Sequence, residues 1–248
     1  HSKPNLAQVP RATAPWGREC RSLFCASKGF RLVGADMSGL ELRCLAHYTH
    51  KYDGGLYRDA ILEGDIHEIN RQAAGLDDRD QAKVFVYALL YGAGAARIGK
   101  IVCGTAADGR HLKSVFLNRM PALKYLKDAV EYRADKLGVL KSIDGRTLRV
   151  RSKHSALNLL LQSAGSIAMK KATCLLHSIL RSENMEDLDK VKQVAHIHYE
   201  IQLEARDDCA HAVGRAAVRA MEQAGEELRF KCPLTGEYSI GQHWAETH

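Results

Sequence analysis

The sequence predicts a mixed α/β fold of the α+β type, with helices covering an antiparallel sheet and a helical region inserted into the chain. Three observations lead to this prediction. An apolar strand pattern at 30–36 ends at an acid, and two strand patterns at 191–205 surround a tight turn. Residues from about 55 to 135 show helical periodicity instead.

Local signals predict the remaining elements. Prolines cluster in residues 1–27, which we predict to be extended and without a helix. Helices are predicted at 39–50, 79–91, 121–136, 155–181 and 207–228, and Asp144-Gly145 predicts the turn of a hairpin over 139–151. The helices at 39–50, 155–181 and 207–228 are expected to cover one face of the sheet.

Composition narrows the class of protein. The chain has 248 residues and a formal charge of +7, which favours a polyanionic partner without establishing one. Seven cysteines without a CxxC pair predict reduced thiols and argue against a clustered zinc site. No signal peptide or long apolar run is present, so we expect a soluble protein of the cytoplasm with no membrane partner.

The first candidate site is the segment from Asp36 to Arg43, DMSGLELR, which joins the first strand to a helix. An acid at a strand end can hold a divalent cation, as phosphoryl transfer requires. The alternative is that Asp36 only caps the helix that follows. The segment alone favours neither interpretation.

The second candidate site lies on the predicted helix 79–91. Arg79, Lys83, Tyr87 and Tyr91 are spaced four residues apart, so they follow one face of that helix. Cations at a helix N-terminus are mildly unfavourable, because the helix dipole is positive at that end. A bound polyphosphate would be attracted both by the cations and by the dipole. The tyrosines can stack on a sugar or base. The alternative is a solvated charged turn followed by core tyrosines.

Two further patterns involve polar side chains. His154, Asn158 and Gln162 follow one helix face, where amide groups can read minor-groove acceptors, and Arg149 and Arg151 precede them as phosphate-binding cations. The alternative is an ordinary amphipathic helix. The other pattern is the predicted turn His198-Tyr199-Glu200, which either faces a site or is a hairpin tip without a role.

Together these segments resemble the DNA polymerases of family A, most closely the branch of podovirus-type phages. The stretch PNLAQVP at 4–10 is similar to the one that precedes the family's palm, and GADMSGLELRCLAHY at 34–48 resembles motif A. GDIH at 64–67 and RDQAKVFVYALLYGAG at 79–94 resemble motif B. RSKHSALNLLLQSAGS at 151–166 and IHYEIQLEA at 197–205 follow, the latter at the place of motif C.

The resemblance implies a palm formed by 1–54 and 139–248 and helical fingers formed by 55–138. It implies template-directed DNA synthesis, with the primer 3′-OH attacking a dNTP at a site with two Mg²⁺ ions. It also implies that Asp36, the cations of motif B and the His198 turn meet in one cleft.

Individual roles are implied for the matching residues. Asp36 would be a metal ligand together with the main-chain carbonyl of Met37, and Glu41 would exclude a ribose 2′-OH. Arg79, Lys83 and His67 would bind the triphosphate, Lys83 also as general acid, and Tyr87 would pack on the sugar. The residues implied to contact DNA are Tyr91, Arg149, Arg151, His154, Asn158, Gln162 and His198.

The sequence departs from the family at motif C, where an aspartate is expected and Tyr199 stands instead. A phenol with a pKa of about 10 is a poor Mg²⁺ ligand. We therefore expect weakened metal binding and a slow chemical step, with Glu200 as a catalytic residue that replaces part of the lost acid. The alternative is a catalytically inactive DNA- or nucleotide-binding homologue, and a metal-dependent nuclease is a weaker third interpretation.

A second departure is that no thumb or 3′–5′ exonuclease segment is recognised in the 248 residues. We therefore expect either a fragment or one part of a split polymerase. Its partners would be primer–template DNA, a dNTP and a separate or missing chain that carries the thumb and exonuclease.

Overall fold

A computed structural model describes residues 5–185, 187 and 189–247. The chain forms two compact units. Unit 1 contains the described residues of 1–40 and 165–248, and unit 2 contains 41–164. In the part of the chain that is described, no helix is both long enough and apolar enough to cross a membrane.

The described residues form helices and strands close to the predicted ones. In chain order they are α1 (Gly17–Ser22), β1 (Phe30–Met37), α2 (Leu40–Asp53), α3 (Leu56–Glu63), α4 (Ile66–Ala74), α5 (Arg79–Leu90), α6 (Ala95–Ile101), α7 (Ala106–Arg119), α8 (Pro121–Leu137), β2 (Val139–Lys141), β3 (Thr147–Arg149), α9 (Ala156–Ser182), β4 (Val191–Ile197), β5 (Glu200–Arg206), α10 (Ala210–Glu227) and β6 (Gly236–Gly241). Short 3₁₀ helices occur at Leu6–Gln8, Lys153–Ser155 and Trp244–Glu246.

Unit 1 is built on a four-stranded antiparallel sheet in the order β4-β5-β1-β6. β1 and the β4–β5 hairpin therefore share one sheet, as predicted. In the register, Asp36 on β1 lies opposite Glu200 on β5 and Glu237 on β6. Because directly opposed residues of an antiparallel pair point to the same face, these three acids belong to one face of the sheet.

The other face of this sheet is the apolar core of unit 1. Val33, Ile201 and Leu203 are almost fully buried on it. α10 packs against this face closely, since a Cβ at Gly214 would stand 2.2 Å from the Tyr238 ring. Small residues on the buried side of α10 permit this approach. Each buried aliphatic side chain contributes roughly 1.5–3 kcal/mol of hydrophobic stabilisation.

The N-terminal and C-terminal segments contact the acid-bearing face. The Arg21 guanidinium lies 4.3 Å from the Trp244 ring centroid, and the Phe24 ring meets the same indole edge-on at 5.5 Å. The prediction of an extended stretch without a helix over 1–27 is wrong, because α1 occupies Gly17–Ser22. α1 begins after Pro15, so no proline interrupts it. Pro4 lies outside the described residues.

β6 has no counterpart in the sequence prediction. Its six residues, GEYSIG, have glycine at both ends, and glycine is depleted in strands. β6 pairs along its whole length with β1, from Leu32 to Met37. This is a tertiary effect that local propensity does not report.

Unit 2 is mostly helical, as predicted, with the short β2–β3 hairpin near its end. Phe85 on α5 and Phe116 on α7 meet edge-to-face at 5.2 Å in its core. α6 and α7 pack so closely that a Cβ at Gly109 would stand 2.0 Å from a backbone oxygen of α6. Asp78 caps α5 by accepting bonds from two amides of its first turn.

Candidate active site

In unit 1, a main-chain hydrogen bond connects the end of β1 to the β4–β5 turn. The Met37 amide donates to the Tyr199 carbonyl at 3.2 Å, which fixes the turn beside Asp36. Asp36 is half-buried, and the Met37 side chain is buried with 2% of its surface exposed. The buried thioether of Met37 is therefore not a candidate ligand, and the predicted role of its main-chain carbonyl stays a prediction.

The turn itself consists of His198 and Tyr199. His198 has φ +54°, and histidine is among the residues that tolerate this left-handed region best. His198 is exposed, whereas Tyr199 is half-buried. A Cβ at Gly165 of α9 would lie 3.3 Å from Tyr199 Cε1, so the phenol ring rests on a position without a side chain.

Glu200 points into a buried polar network and not into solvent. Its side chain is 4% exposed, and Oε1 accepts a 2.9 Å bond from Trp244 Nε1. Gln202 also donates to this carboxylate and to Thr247 Oγ1. The carboxylate attracts the neighbouring guanidinium of Arg21. These contacts hold the strand that follows Tyr199.

In unit 2, the predicted cations occupy the first turns of α5. Arg79 is held by Asp65 in a two-pronged pair, Nε to Oδ2 at 2.8 Å and Nη2 to Oδ1 at 3.0 Å. This pair lowers the pKa of the Asp65 carboxyl to about 2. Asp65 also caps α4 by accepting from two of its amides. Lys83 is exposed one turn further along α5.

His67 on α4 lies beside these two cations. Burial, followed by the charges of Lys83 and Arg79, lowers the pKa of its imidazole. Its Nδ1 atom is buried and has no hydrogen-bond partner within the described residues. Arg79 and Lys83 therefore lie near His67, and His67 retains an unused donor or acceptor.

Two tyrosines interact with Glu41. Tyr87 lies on α5, and Tyr91 directly follows this helix. The Tyr91 hydroxyl donates to Glu41 Oε1 at 2.7 Å, and Tyr91 remains 47% exposed. Burial and this bond raise the pKa of Tyr91 to about 12, while a hydrogen bond with Gln162 acts in the opposite direction. Burial and the Glu41 charge also raise the pKa of Tyr87 to about 12.

The predicted DNA-contacting residues of unit 2 lie around the start of α9. Arg149 ends β3 and Arg151 follows it, both exposed. His154 lies in the 3₁₀ turn before α9 and not in the helix itself, whereas Asn158 and Gln162 are on α9. His154 and Asn158 line one cavity, and Gln162 contacts Tyr91 instead.

The donor set of unit 1 matches only part of the implied metal site. In the described residues, no group of three or more His, Cys, Asp or Glu side chains is arranged to hold a metal ion. Asp36 offers a carboxylate, Met37 offers a carbonyl, and Tyr199 stands where the resemblance implies a second acid. Protein-bound Mg²⁺ often uses one or two carboxylates and completes its shell with water and substrate phosphates. These donors fit one Mg²⁺ that arrives with a triphosphate, and they do not fit a second ion held by two acids.

Sequence reasoning missed the residues that position this site. Asp65 precedes a helix and is followed three residues later by Glu68, which is an N-cap signal, but its pairing with Arg79 is a tertiary contact. Trp244 lies 44 residues from Glu200 in sequence, and no local pattern connects them. The Tyr91–Glu41 bond likewise joins positions 50 residues apart.

Comparisons with known proteins identify the family and the fold. A sequence profile described as DNA polymerase family A matches residues 1–246. DNA-directed DNA polymerases of Enterobacteria phage T3 and Escherichia phage T7 are 39% and 38% identical over the whole chain, which spans 39% of the length of each. The solved POL domain of Pol1 from M. smegmatis, in complex with DNA primer-template and dNTP, superposes with a TM-score of 0.85 at 20% identity, over 98% of this chain and 45% of that one.

Proposed function

The chain belongs to DNA polymerase family A, and from that premise we propose that it takes part in template-directed DNA synthesis. In this reaction the primer 3′-OH attacks the α-phosphate of a dNTP and pyrophosphate leaves. The observation that carries the proposal is the cluster of Arg79, Lys83 and His67 at the start of α5, followed along the same helix by Tyr87.

This cluster binds the triphosphate of the dNTP. Arg79 offers a planar fork that is occupied by Asp65 in the absence of nucleotide, and the N-terminus of α5 attracts anions. Lys83 then donates a proton to the leaving pyrophosphate, and His67 donates a hydrogen bond to it. Release of Arg79 from Asp65 is part of the cost of nucleotide binding.

The sugar and the base are selected further along the same unit. Tyr87 packs on the deoxyribose, and Glu41 excludes a ribose 2′-OH. The Tyr91 hydroxyl fixes the Glu41 carboxylate at 2.7 Å, so selection depends on a positioned acid. The exposed ring of Tyr91 stacks beside the templating base pair.

Each unit has residues that we assign to the primer–template. Arg149, Arg151 and His154 are exposed and contact phosphates, whereas Asn158 and Gln162 donate to minor-groove acceptors. His198 is exposed at the β4–β5 turn and lies by the primer end. The phage relatives are longer than this chain. We propose that a thumb and a 3′–5′ exonuclease, on further sequence or on a separate chain, act together with it.

Asp36 and the Met37 carbonyl would hold one Mg²⁺, which when bound would supply positive charge to neutralise the phosphates. Tyr199 gives no second carboxylate, and Glu200 is engaged by Trp244. We therefore assign Glu200 a positioning role at the turn and no direct metal contact. The chemical step is slow in this chain, while nucleotide and DNA binding are retained.

Tyr199 also favours a second candidate function, which is a non-catalytic DNA- or nucleotide-binding protein with a polymerase fold. Primer extension by the unaltered chain, by Tyr199→Asp and by the control Tyr132→Asp separates the two. Tyr132 is 67% exposed on α8, so it tests the effect of an added acid elsewhere.

Polymerase function predicts that Tyr199→Asp extends the primer on the order of 10² times faster than the unaltered chain, since a single charge-stabilising group in an active site is worth about that much. Tyr132→Asp should give no gain. If Tyr199→Asp binds dNTP and DNA but extends no primer, the non-catalytic function is favoured. Degradation of the primer without dNTP binding would point to a nuclease.

A further inference from the structure

The ion pair between Arg79 and Asp65 in unit 2 occupies one edge of the arginine. Asp65 Oδ2 accepts from Nε at 2.8 Å, and Oδ1 accepts from Nη2 at 3.0 Å. Both side chains stay accessible to a ligand, since 48% of Arg79 and 47% of Asp65 is exposed. A phosphate that reaches Arg79 therefore meets a cation whose charge a neighbouring carboxylate already offsets.

Asp65 has a second set of partners that does not include Arg79. Its Oδ1 atom also accepts from the amides of His67 at 3.0 Å and Glu68 at 3.2 Å, as the N-cap of α4. The N-terminus of a helix also stabilises a negative charge through its dipole. The carboxylate therefore keeps hydrogen-bond donors whether or not Arg79 is bound to it, so the ion pair can open without leaving an unpaired anion.

The ion pair is also weak enough to exchange. Its hydrogen bonds are the largest cause that lowers the pKa of Asp65 to about 2 and that raises the pKa of Arg79. Solvent and salt nevertheless screen an exposed pair, so its contribution stays small. A polyanion can displace such a carboxylate, and the packing of α4 on α5 keeps Asp65 close enough to bind Arg79 again afterwards.

We propose that Asp65 is an internal competitor for Arg79 that limits how long the site retains a triphosphate and its pyrophosphate product. The inference rests on the proposed function, which assigns Arg79 to the triphosphate. An incoming triphosphate takes Arg79 from Asp65, and Asp65 recaptures the guanidinium as pyrophosphate leaves. Because Asp65 belongs to the same unit, it competes at a high effective concentration.

The opposite role for Asp65 is to position Arg79 for the phosphates, and the two roles differ in the sign of one measurement. Competition predicts that a neutral residue at 65 tightens polyanion binding, whereas positioning predicts that it weakens binding. Two observations favour competition. The carboxylate takes two N–H donors that a phosphate would use, and its negative charge repels a polyanion at Arg79.

Equilibrium binding by the 248-residue chain measures this sign. Affinities for dATP and for pyrophosphate are determined at low and high salt, with and without Mg²⁺. Asp65→Asn removes the charge and retains an oxygen for the α4 cap, since asparagine caps helices about as well as aspartate. Asp78→Asn is the matched control, because Asp78 caps α5 in the same way and forms no ion pair within the described residues.

The expected result is that Asp65→Asn binds dATP and pyrophosphate about fivefold more tightly at low salt, with slower dissociation of pyrophosphate. The gain should shrink at high salt, because the lost pair is exposed. Asp78→Asn should change either affinity by less than about twofold. In an Arg79→Leu background, Asp65→Asn should have no effect, because no guanidinium remains for it to release. Asp65→Ser, which also caps a helix, should reproduce the gain.

Other outcomes overturn the inference in distinguishable ways. Weaker dATP binding by Asp65→Asn would make Asp65 a positioning residue, and unchanged binding would give it no role in affinity, while the proposed function stands in both cases. An equal gain in Asp78→Asn, or a gain that persists with Arg79→Leu, would trace the effect to net charge alone. If neither the unaltered chain nor any variant binds dATP, the proposed function fails together with this inference.

Discussion

The indole of Trp244 offers the sharpest test of how the β4–β5 turn is held. Trp244 is 3% exposed and its Nε1 donates to the buried Glu200 carboxylate at 2.9 Å. Trp244→Phe removes this donor and leaves a charged oxygen without it. A hydrogen bond to a charged group contributes about 1.5–3 kcal/mol. The smaller ring costs roughly a further 1 kcal/mol. We therefore expect a loss of about 3 kcal/mol in the free energy of unfolding.

Urea unfolding followed by far-UV circular dichroism measures this loss, with Trp16→Phe as the matched control. Trp16 is 75% exposed, so its replacement should change the free energy of unfolding by less than about 0.5 kcal/mol. Repeating Trp244→Phe in a Glu200→Gln background should cost less, because a neutral amide tolerates the missing donor better. A loss below about 0.5 kcal/mol in the first background, or equal losses in both, would refute the reasoning.

Three further predictions concern unit 2. Gly109→Ala should lower the free energy of unfolding by on the order of 3 kcal/mol, because its Cβ would overlap a backbone oxygen of α6. Urea titrations measure this loss, and an unchanged urea midpoint would contradict this packing. Arg79→Leu should raise the pKa of Asp65 from about 2 toward its ordinary 3.8, as measured by ¹³C NMR titration. In the unaltered chain, the stabilisation by this pair is complete above pH 4 and is lost as the pH falls toward 2. Glu41→Gln should lower the pKa of Tyr91 from about 12 toward 10 in ultraviolet titrations, and an unchanged value would show that burial alone sets it.

Helices and strands could be predicted where a local sequence pattern was strong. Apolar periodicity predicted β1, β4 and β5, and their pairing into one antiparallel sheet is confirmed. Capping and glycine signals predicted α5 to within one residue at its C-terminal end. The failures have a common cause. α1 and β6 depend on neighbours that are distant in sequence, and neither local propensity nor proline content reports such neighbours.

The residue types of the candidate site could be predicted from the sequence, but the contacts that hold these residues in place could not. The grouping of Arg79, Lys83 and His67 follows from helix spacing and the resemblance. The residues that fix them are carboxylates and aromatics brought in by tertiary contacts, such as Asp65 and Trp244. The domain boundaries at 54 and 138, and the meeting of Asp36 with the α5 cations in one cleft, stay predictions.

The placement of β1 between β5 and β6 has a consequence for how this protein is made. Both partners of β1 come from the last fifth of the chain, and about 160 residues separate Met37 from Glu200. At a ribosomal rate of about 5–20 residues per second, the apolar strand waits roughly 8–32 s with two unpaired edges. We therefore expect β1 to complete its pairing only after both β5 and β6 have been synthesised.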